Sequence, residues 1–161
     1  MENFKGFEPI YDINSKVLIL GSFPSVKSRA VGFYYGNKQN RFWNMLSKVL
    51  NENIPDEIEE KKKILKKYHI ALWDVIQESD LKGSSDLELT KSNNTTKDFS
   101  FLLPPNTKIE KILCNGKTAF TLFQKLCKTD LPVVCLPSTS PANPRYNYEE
   151  WERQLKNNSQ K

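Results

Sequence analysis

The sequence predicts an α/β fold, namely a three-layer α/β/α sandwich whose central sheet has about four mostly parallel strands. Two observations predict it: four short apolar runs have the composition of buried strands, and amphipathic helical patterns separate them. A length of 161 residues fits one domain with a single core. Because parallel sheets bind ligands beyond the carboxyl ends of their strands, the segments that follow the strands are where we expect function.

The four predicted strands are apolar runs that end at small or polar residues. Such runs are typical of parallel strands buried on both faces. They are residues 17–20, 70–76, 111–114 and 131–136. The segments that follow them are residues 21–41, 73–85, 115–118 and 137–146.

The apolar residues between and after these strands recur at helical spacing. This spacing predicts helices at about 40–50, 55–67, 117–127 and 148–155. Asn40 is well placed to cap the first of them, since asparagine favours the N-cap. Residues 86–99 are polar and predict a loop. We expect one domain over residues 1–161, with a polar tail at 156–161.

Composition excludes several classes of protein. The three cysteines are odd in number and form no Cys-x-x-Cys pair, so neither a disulfide framework nor a zinc site is predicted. No apolar run approaches the ~18 residues that a membrane span needs. We therefore expect a soluble intracellular protein without metal or cofactor. The net charge of +5 permits a nucleic-acid partner but does not select one.

Two motifs follow the first strand. Residues 21–25 (Gly-Ser-Phe-Pro-Ser) combine a tight turn with a stiff exit, which can present backbone amides to a ligand but also suits an ordinary turn. Residues 32–43 carry adjacent aromatics and amides. Tyr34 and Tyr35 offer ring faces to an unstacked base or belong to the core, and Phe42 and Trp43 are expected in the core.

A third motif follows the last strand. Residues 136–146 (Leu-Pro-Ser-Thr-Ser-Pro-Ala-Asn-Pro-Arg-Tyr) join small hydroxyls, stiffening prolines and the positive charge of Arg145. Hydroxyls and arginines commonly contact phosphates. The segment is also consistent with a plain proline-rich connection.

These blocks together, and in this order, resemble the hypoxanthine-DNA glycosylase (DNA-deoxyinosine glycosylase) branch of the uracil-DNA glycosylase superfamily over residues 8–155. The resemblance rests on the three motifs and on shorter blocks at residues 72–75, 82–84 and 115–117. The mismatch-specific uracil glycosylases are similar through the first two motifs and are the nearest alternative. The resemblance implies a monofunctional glycosylase that acts in base excision repair.

One position departs from the mismatch-specific relatives. They are similar to this chain in the first motif but have there an asparagine that positions water, where this sequence has Phe23. Either the fold is inactive or another residue has this task. The resemblance points to Asn40 as the catalytic candidate and to Tyr35 as the ring that stacks on the extruded base.

The resemblance implies the remaining site residues. With Asn40, Ser22 is the second catalytic candidate. Base binding is expected from Phe23, Pro24, Tyr35 and Asn115. DNA binding is expected from Ser25, Lys117, Ser138, Ser140, Pro141, Ala142, Asn143 and Arg145.

Breaking an N-glycosidic bond leaves negative charge on the base, so the site needs placed donors and a placed water more than a strong nucleophile. The expected partner is damaged DNA, bound by a monomer in the cytoplasm or nucleus. Two alternatives stay open: a mismatch-specific uracil or thymine glycosylase, and a non-catalytic binder of DNA or nucleotides.

Overall fold

The structure is a computed structural model that describes residues 4–79, 94–95 and 99–159. Its strands are β1 (Phe4–Lys5), β2 (Val17–Gly21), β3 (Ile70–Asp74), β4 (Glu78–Ser79), β5 (Asn94–Thr95), β6 (Lys111–Asn115) and β7 (Val133–Leu136). Four of them form a parallel sheet in the order β3-β2-β6-β7. In this register Leu20 lies beside Trp73 on one side and Cys114 on the other.

The helices are α1 (Val26–Val31), α2 (Phe42–Leu50), α3 (Ile58–Lys67), α4 (Lys117–Leu126) and α5 (Tyr148–Ser159), with a 3₁₀ turn at Ser100–Leu102. Helix α3 packs on β3, α4 packs on β6 and β7, and α2 packs on α5. The sheet with its packed helices confirms the predicted α/β sandwich. Among the described residues, no helix is both long and apolar enough to cross a membrane.

The core explains why these segments adopt these elements. Every residue of β2 and β3 is buried, as expected for strands of a parallel sheet that is covered on both faces. The apolar stripe of α2 includes Phe42, which is fully buried against the equally buried Trp151 of α5. The lysine-rich α3 buries Ile64 and Leu65 and carries lysine–glutamate pairs on its outer side.

Three features differ from the sequence prediction. Helix α1 was not predicted, because six residues are too few to show a helical period. A small antiparallel sheet, β1-β4-β5, includes residues 94–95, which were predicted as part of a loop at 86–99. Most of that predicted loop lies outside the described residues, and so does the block at 82–84. Helix α5 runs to Ser159, so the predicted polar tail begins inside it.

Candidate active site

A cleft of about 810 Å³ opens at the carboxyl edge of the parallel sheet. Its walls come from the three segments that carry the sequence motifs. Most of the predicted site residues line it: Ser22, Phe23, Pro24, Ser25, Tyr35, Asn40, Asn115, Lys117, Ser138, Ser140, Ala142, Asn143 and Arg145. Pro141 does not line it and is exposed at the tip of its loop.

The first wall is the loop that leaves β2. The Ser22 carbonyl accepts a hydrogen bond from the Ile76 N–H at 3.0 Å, which fixes the loop to the chain beyond β3. Ser25 is the N-cap of α1, where its hydroxyl accepts from the Ser28 N–H at 3.1 Å. The Arg29 guanidinium lies over the Phe23 ring at 5.5 Å. The structure thus gives Ser25 a helix-capping role in addition to its place beside the cleft.

The aromatic segment forms the second wall. Tyr34 is buried and donates its hydroxyl to the Glu8 carbonyl at 2.8 Å, so it belongs to the core. Tyr35 has a φ of 53°, an uncommon conformation for a residue other than glycine. Its ring stacks on Phe42 with centroids 4.1 Å apart. Because Phe42 covers one face of the Tyr35 ring, only the other face is left for a base.

Asn40 lies just before α2, which begins at Phe42 and has Arg41 at its N-cap position. The predicted helix therefore starts two residues too early. The Asn40 side chain nevertheless caps it, because Oδ1 accepts from the Phe42 N–H at 2.9 Å. This bond fixes the plane of the amide. Its Nδ2 group has no hydrogen-bond partner among the described residues, and Asn40 lines the cleft.

Asn115 ends β6 and is buried. Its Nδ2 donates to the Thr139 hydroxyl and its Oδ1 accepts from the Thr139 N–H, both at 3.0 Å. Gly116 follows with a φ of 98°, and a Cβ there would lie 3.1 Å from the Ser138 Cβ. These contacts tie the end of β6 to the loop after β7. The amide predicted to bind the base is thus largely used to hold that loop.

The third wall is the loop 137–146, which is fixed by its own polar groups. Asn143 donates from Nδ2 to the Ser138 carbonyl at 2.9 Å and accepts at Oδ1 from the Arg145 N–H at 3.0 Å. The Ser138 and Ser140 hydroxyls accept from the N–H groups two residues ahead. The loop is therefore stiff before any ligand arrives.

Arg41 joins the second wall to the third. Its N–H donates to the Thr139 carbonyl at 3.0 Å, and its Nη1 donates to the Asn143 carbonyl at 3.2 Å. The guanidinium also lies over the Tyr146 ring at 4.8 Å. Arg41 therefore positions the loop beside the segment that carries Asn40.

The floor of the cleft contains a buried carboxyl group. Asp74 ends β3, is 5% exposed, and has no hydrogen-bond partner at Oδ2 among the described residues. Its Oδ1 and the Tyr35 hydroxyl both lie within 3.3 Å of the point where a Gly21 Cβ would stand. The Tyr35 hydroxyl is also buried without a partner in the described part of the chain. Glycine at position 21 thus makes room for two polar groups.

Burial determines the protonation of this floor. It raises the pKa of Asp74 to about 7, because a carboxylate loses hydration there and no described residue supplies a cation beside it. Burial, and next the Asp74 charge, raise the pKa of Tyr35 far above its usual range. The floor therefore holds a neutral phenol beside a carboxyl group that is partly protonated near neutral pH.

Asp74, Arg41 and Thr139 belong to this site without having been predicted. The signal that could have pointed to Asp74 is a carboxylate at the end of an apolar strand, on the edge that also carries Gly21. Arg41 lies inside the second motif and Thr139 inside the third, but only the folded chain shows that they join the two.

Known proteins are similar to this chain over nearly its full length. The profile of the Uracil DNA glycosylase superfamily matches residues 8–158. A hypoxanthine DNA glycosylase of Methanosarcina acetivorans is 37% identical over 152 residues, which cover 92% of this chain and 95% of that protein. One of Methanosarcina barkeri is 32% identical over 144 residues, covering 88% and 89%.

A solved structure is also similar. It is a solution NMR structure of a Methanosarcina acetivorans protein provisionally described as a uracil DNA glycosylase. It superimposes with a TM-score of 0.79 at 34% identity, and the match covers 98% of this chain and 99% of that one.

Proposed function

Because this chain belongs to the uracil DNA glycosylase superfamily, we propose that it hydrolyses the N-glycosidic bond of deoxyinosine in DNA and releases hypoxanthine. The observation that carries the proposal is that Ser22, Asn40 and the loop 137–146, distant in sequence, line one cleft at the carboxyl edge of the sheet. The curated relatives that match nearly the full chain support hypoxanthine as the base.

The target base must leave the helix before it can reach this cleft. Extruding a base costs a few kcal/mol, and less for a damaged or mismatched pair. The open face of Tyr35 supports stacking of the extruded ring, and Phe23 and Pro24 add an apolar wall. Asn115 donates one amide hydrogen to Thr139, and in this proposal its second hydrogen reaches the base beside Tyr35.

Asn40 and Ser22 supply the polar groups for hydrolysis in this proposal. The Asn40 amide is fixed by its bond to Phe42, so its Nδ2 donor has a set direction before the substrate arrives. A donor held in this way stabilises negative charge as it develops on the departing base. The Ser22 hydroxyl has no partner among the described residues and can hold the attacking water.

The rim of the cleft suits the DNA backbone. Lys117 begins α4, where its charge adds to the N–H groups of a helix start, and Arg145 is exposed on the loop 137–146. The Ser138 and Ser140 hydroxyls accept bonds within their loop and keep their hydrogens for phosphate oxygens. Ser25, Ala142 and Asn143 complete this surface, and exposed Pro141 is placed to touch DNA from the loop tip.

We propose a monomer as the working form. Damaged DNA as the partner supports a place in the cytoplasm or nucleus.

The test uses matched duplexes that contain deoxyinosine, deoxyuridine or deoxyxanthosine, incubated with the protein and then with alkali, which breaks the strand only where a base has left. We expect breakage at deoxyinosine, in the presence of a chelator as well, and little at deoxyuridine. Equal or greater breakage at deoxyuridine would support a uracil glycosylase, and no breakage in any duplex would support a non-catalytic binder.

A further inference from the structure

Two polar atoms at the cleft floor are buried without a hydrogen-bond partner among the described residues. Buried polar groups are nearly always hydrogen-bonded, so those that are not call for an explanation. Asp74 Oδ2 and the Tyr35 hydroxyl are both buried and both without a partner among the described residues. The Asp74 carboxyl group and the Tyr35 hydroxyl both lie within 3.3 Å of the point where a Gly21 Cβ would stand, and both residues line the cleft. A ligand in the cleft would be their partner.

The surroundings of Asp74 favour the neutral form of its carboxyl group. Among the described residues, the titratable groups that feel its charge are Tyr34 and Tyr35, and neither is a cation. Glu8, which acts on Tyr34, adds only negative charge. Of the other described residues that line the cleft, the charged ones are Lys117, Arg145 and Glu150, which follow β6 and β7 and do not shift the pKa of Asp74.

The backbone of Asp74 is fixed, so its side chain has a set position. Its carbonyl accepts from Gln77 Nε2 at 2.6 Å, and the following residue, Val75, donates its N–H to the Gly21 carbonyl at 2.8 Å. A Cβ on residue 21 would stand 2.5 Å from Asp74 Oδ1. The carboxyl group therefore occupies space that only glycine leaves free.

We propose that Asp74 is a general acid of the reaction: its neutral carboxyl group donates a proton to N7 of the extruded purine as the glycosidic bond breaks. This inference rests on the proposed function. The outer edge of a 6-oxopurine carries two adjacent acceptors, N7 and O6, as guanine does in the major groove. The floor offers the Asp74 carboxyl group as the donor to N7, and the Tyr35 ring on which the base stacks lies beside it.

The bonds balance without any further reactant. The Asp74 O–H bond breaks and an N7–H bond forms, while the C1′–N9 electron pair moves into the purine ring. Water attacks C1′ and loses a proton to solvent, and the Asp74 carboxylate regains one from solvent. The products are hypoxanthine and an abasic site. Because burial raises the pKa of Asp74 to about 7, the acid form persists to neutral pH.

The first test is the single-turnover rate of Asp74→Asn on a deoxyinosine duplex across pH. Asparagine keeps the shape and an N–H donor but has no proton to transfer. The wild-type rate should be flat at low pH and fall about tenfold per pH unit once Asp74 ionises. The variant should be slower by about 10²-fold or more at low pH, the usual scale of general acid catalysis, and should not show this fall. A variant that retains the wild-type rate and its pH profile would overturn the proposal.

A second substrate makes the test specific to N7. In 7-deaza-deoxyinosine a C–H group replaces N7, so no proton can be accepted there. Wild type and Asp74→Asn should cleave this substrate at nearly equal rates, and wild type should lose its fall with rising pH. If Asp74→Asn still slows cleavage of the 7-deaza substrate about 10²-fold, Asp74 does not act through N7.

Two controls separate the possible failures. A wild type that releases no hypoxanthine contradicts the proposed function, whereas release with an unchanged Asp74→Asn profile contradicts only the general acid. Thermal unfolding checks the fold of the variant. Because the Asp74 pKa is higher in the folded than in the unfolded protein, the free energy of unfolding of wild type falls as pH rises from the unfolded-state pKa toward 7. Asp74→Asn lacks this ionisation, so its stability relative to wild type should be higher at pH 8 than at pH 4. Should the variant fail to fold, the pH profile of wild type on the 7-deaza substrate still decides the proposal.

Discussion

The loop 137–146 and the cleft floor use polar side chains in opposite ways. In the loop, Asn143 and the serine hydroxyls are bonded to neighbouring backbone groups, and Asn115 and Arg41 hold the loop from outside. On the floor, Asp74 and Tyr35 each bury a polar atom that no described residue satisfies. A satisfied polar network stabilises one geometry, whereas an unsatisfied group is costly unless a ligand completes it. The polar groups of the loop therefore hold one geometry, whereas those of the floor are available to a ligand.

Gly21→Ala should produce the largest effect, because it disturbs the floor alone. The added Cβ would stand 2.5 Å from Asp74 Oδ1 and 3.3 Å from the Tyr35 hydroxyl. We expect cleavage of deoxyinosine DNA to fall about 10³-fold, within the range ascribed to general acid catalysis, and stability to fall about 1–3 kcal/mol. Single-turnover rates and chemical denaturation measure the two effects.

Gly6→Ala is the matched control. Its Cβ would meet nothing closer than 3.5 Å, which is ordinary contact. A similar loss of activity in both variants would show that any change in a glycine, and not the crowded floor, is responsible.

Asn40→Asp should have the next largest effect. Aspartate can accept the same bond from the Phe42 N–H, so stability should stay near that of wild type, but the N–H donor is lost. Cleavage should slow by about 10²-fold, the scale of one lost donor. Asn40→Ala should lose activity together with about 1 kcal/mol of stability. If Asn40→Asp folds, binds deoxyinosine DNA and cleaves at the wild-type rate, Asn40 is only a cap.

Asn115→Ala should affect stability more than chemistry. The change leaves the buried Thr139 N–H and hydroxyl without their partner. We expect a loss of about 1–3 kcal/mol in the free energy of unfolding. The loop should loosen, and the rate at saturating DNA should fall less than in Asn40→Asp. A rate loss as large as that of Asn40→Asp, with normal stability, would place Asn115 in the chemistry and contradict its assignment to the rigid region.

Lys117→Ala should have the smallest effect on catalysis. It should weaken binding of all DNA duplexes alike and reduce the slope of log affinity against log salt by about 1. Lys63→Ala is the control, because Lys63 lies on α3, is 74% exposed and pairs with Glu60. If Lys117→Ala and wild type show the same slope of log affinity against log salt, the start of α4 is not part of the DNA-binding surface.

The parts of the fold that the sequence predicted are those with long, regular patterns. The parallel strands were predicted because their buried runs are continuous, and the helices α2, α3 and α4 because their apolar residues repeat. The two-residue strands β1, β4 and β5 and the six-residue α1 carry no period to detect. Their formation depends on contacts with the rest of the chain.

The site follows the same division. Motif order was sufficient to bring Ser22, Asn40 and Ser138 to one cleft, because strand ends of a parallel sheet meet at one edge. The orphan carboxyl of Asp74 was not predictable. Its lack of a partner depends on where Gly21 and Tyr35 place their atoms, and Tyr35 itself adopts an uncommon backbone conformation. Likewise, the bond between Asn115 and Thr139 appears only when β6 and the loop 137–146 are together.

The most direct test of the account identifies the base that leaves. Equimolar deoxyinosine and deoxyuridine duplexes are mixed in one tube with the protein, and the free bases are quantified by mass spectrometry against time. We expect hypoxanthine to accumulate in step with abasic sites in the deoxyinosine duplex, with little free uracil and with Gly21→Ala releasing neither. Predominant uracil release, or hypoxanthine release by Gly21→Ala at the wild-type rate, would contradict the account.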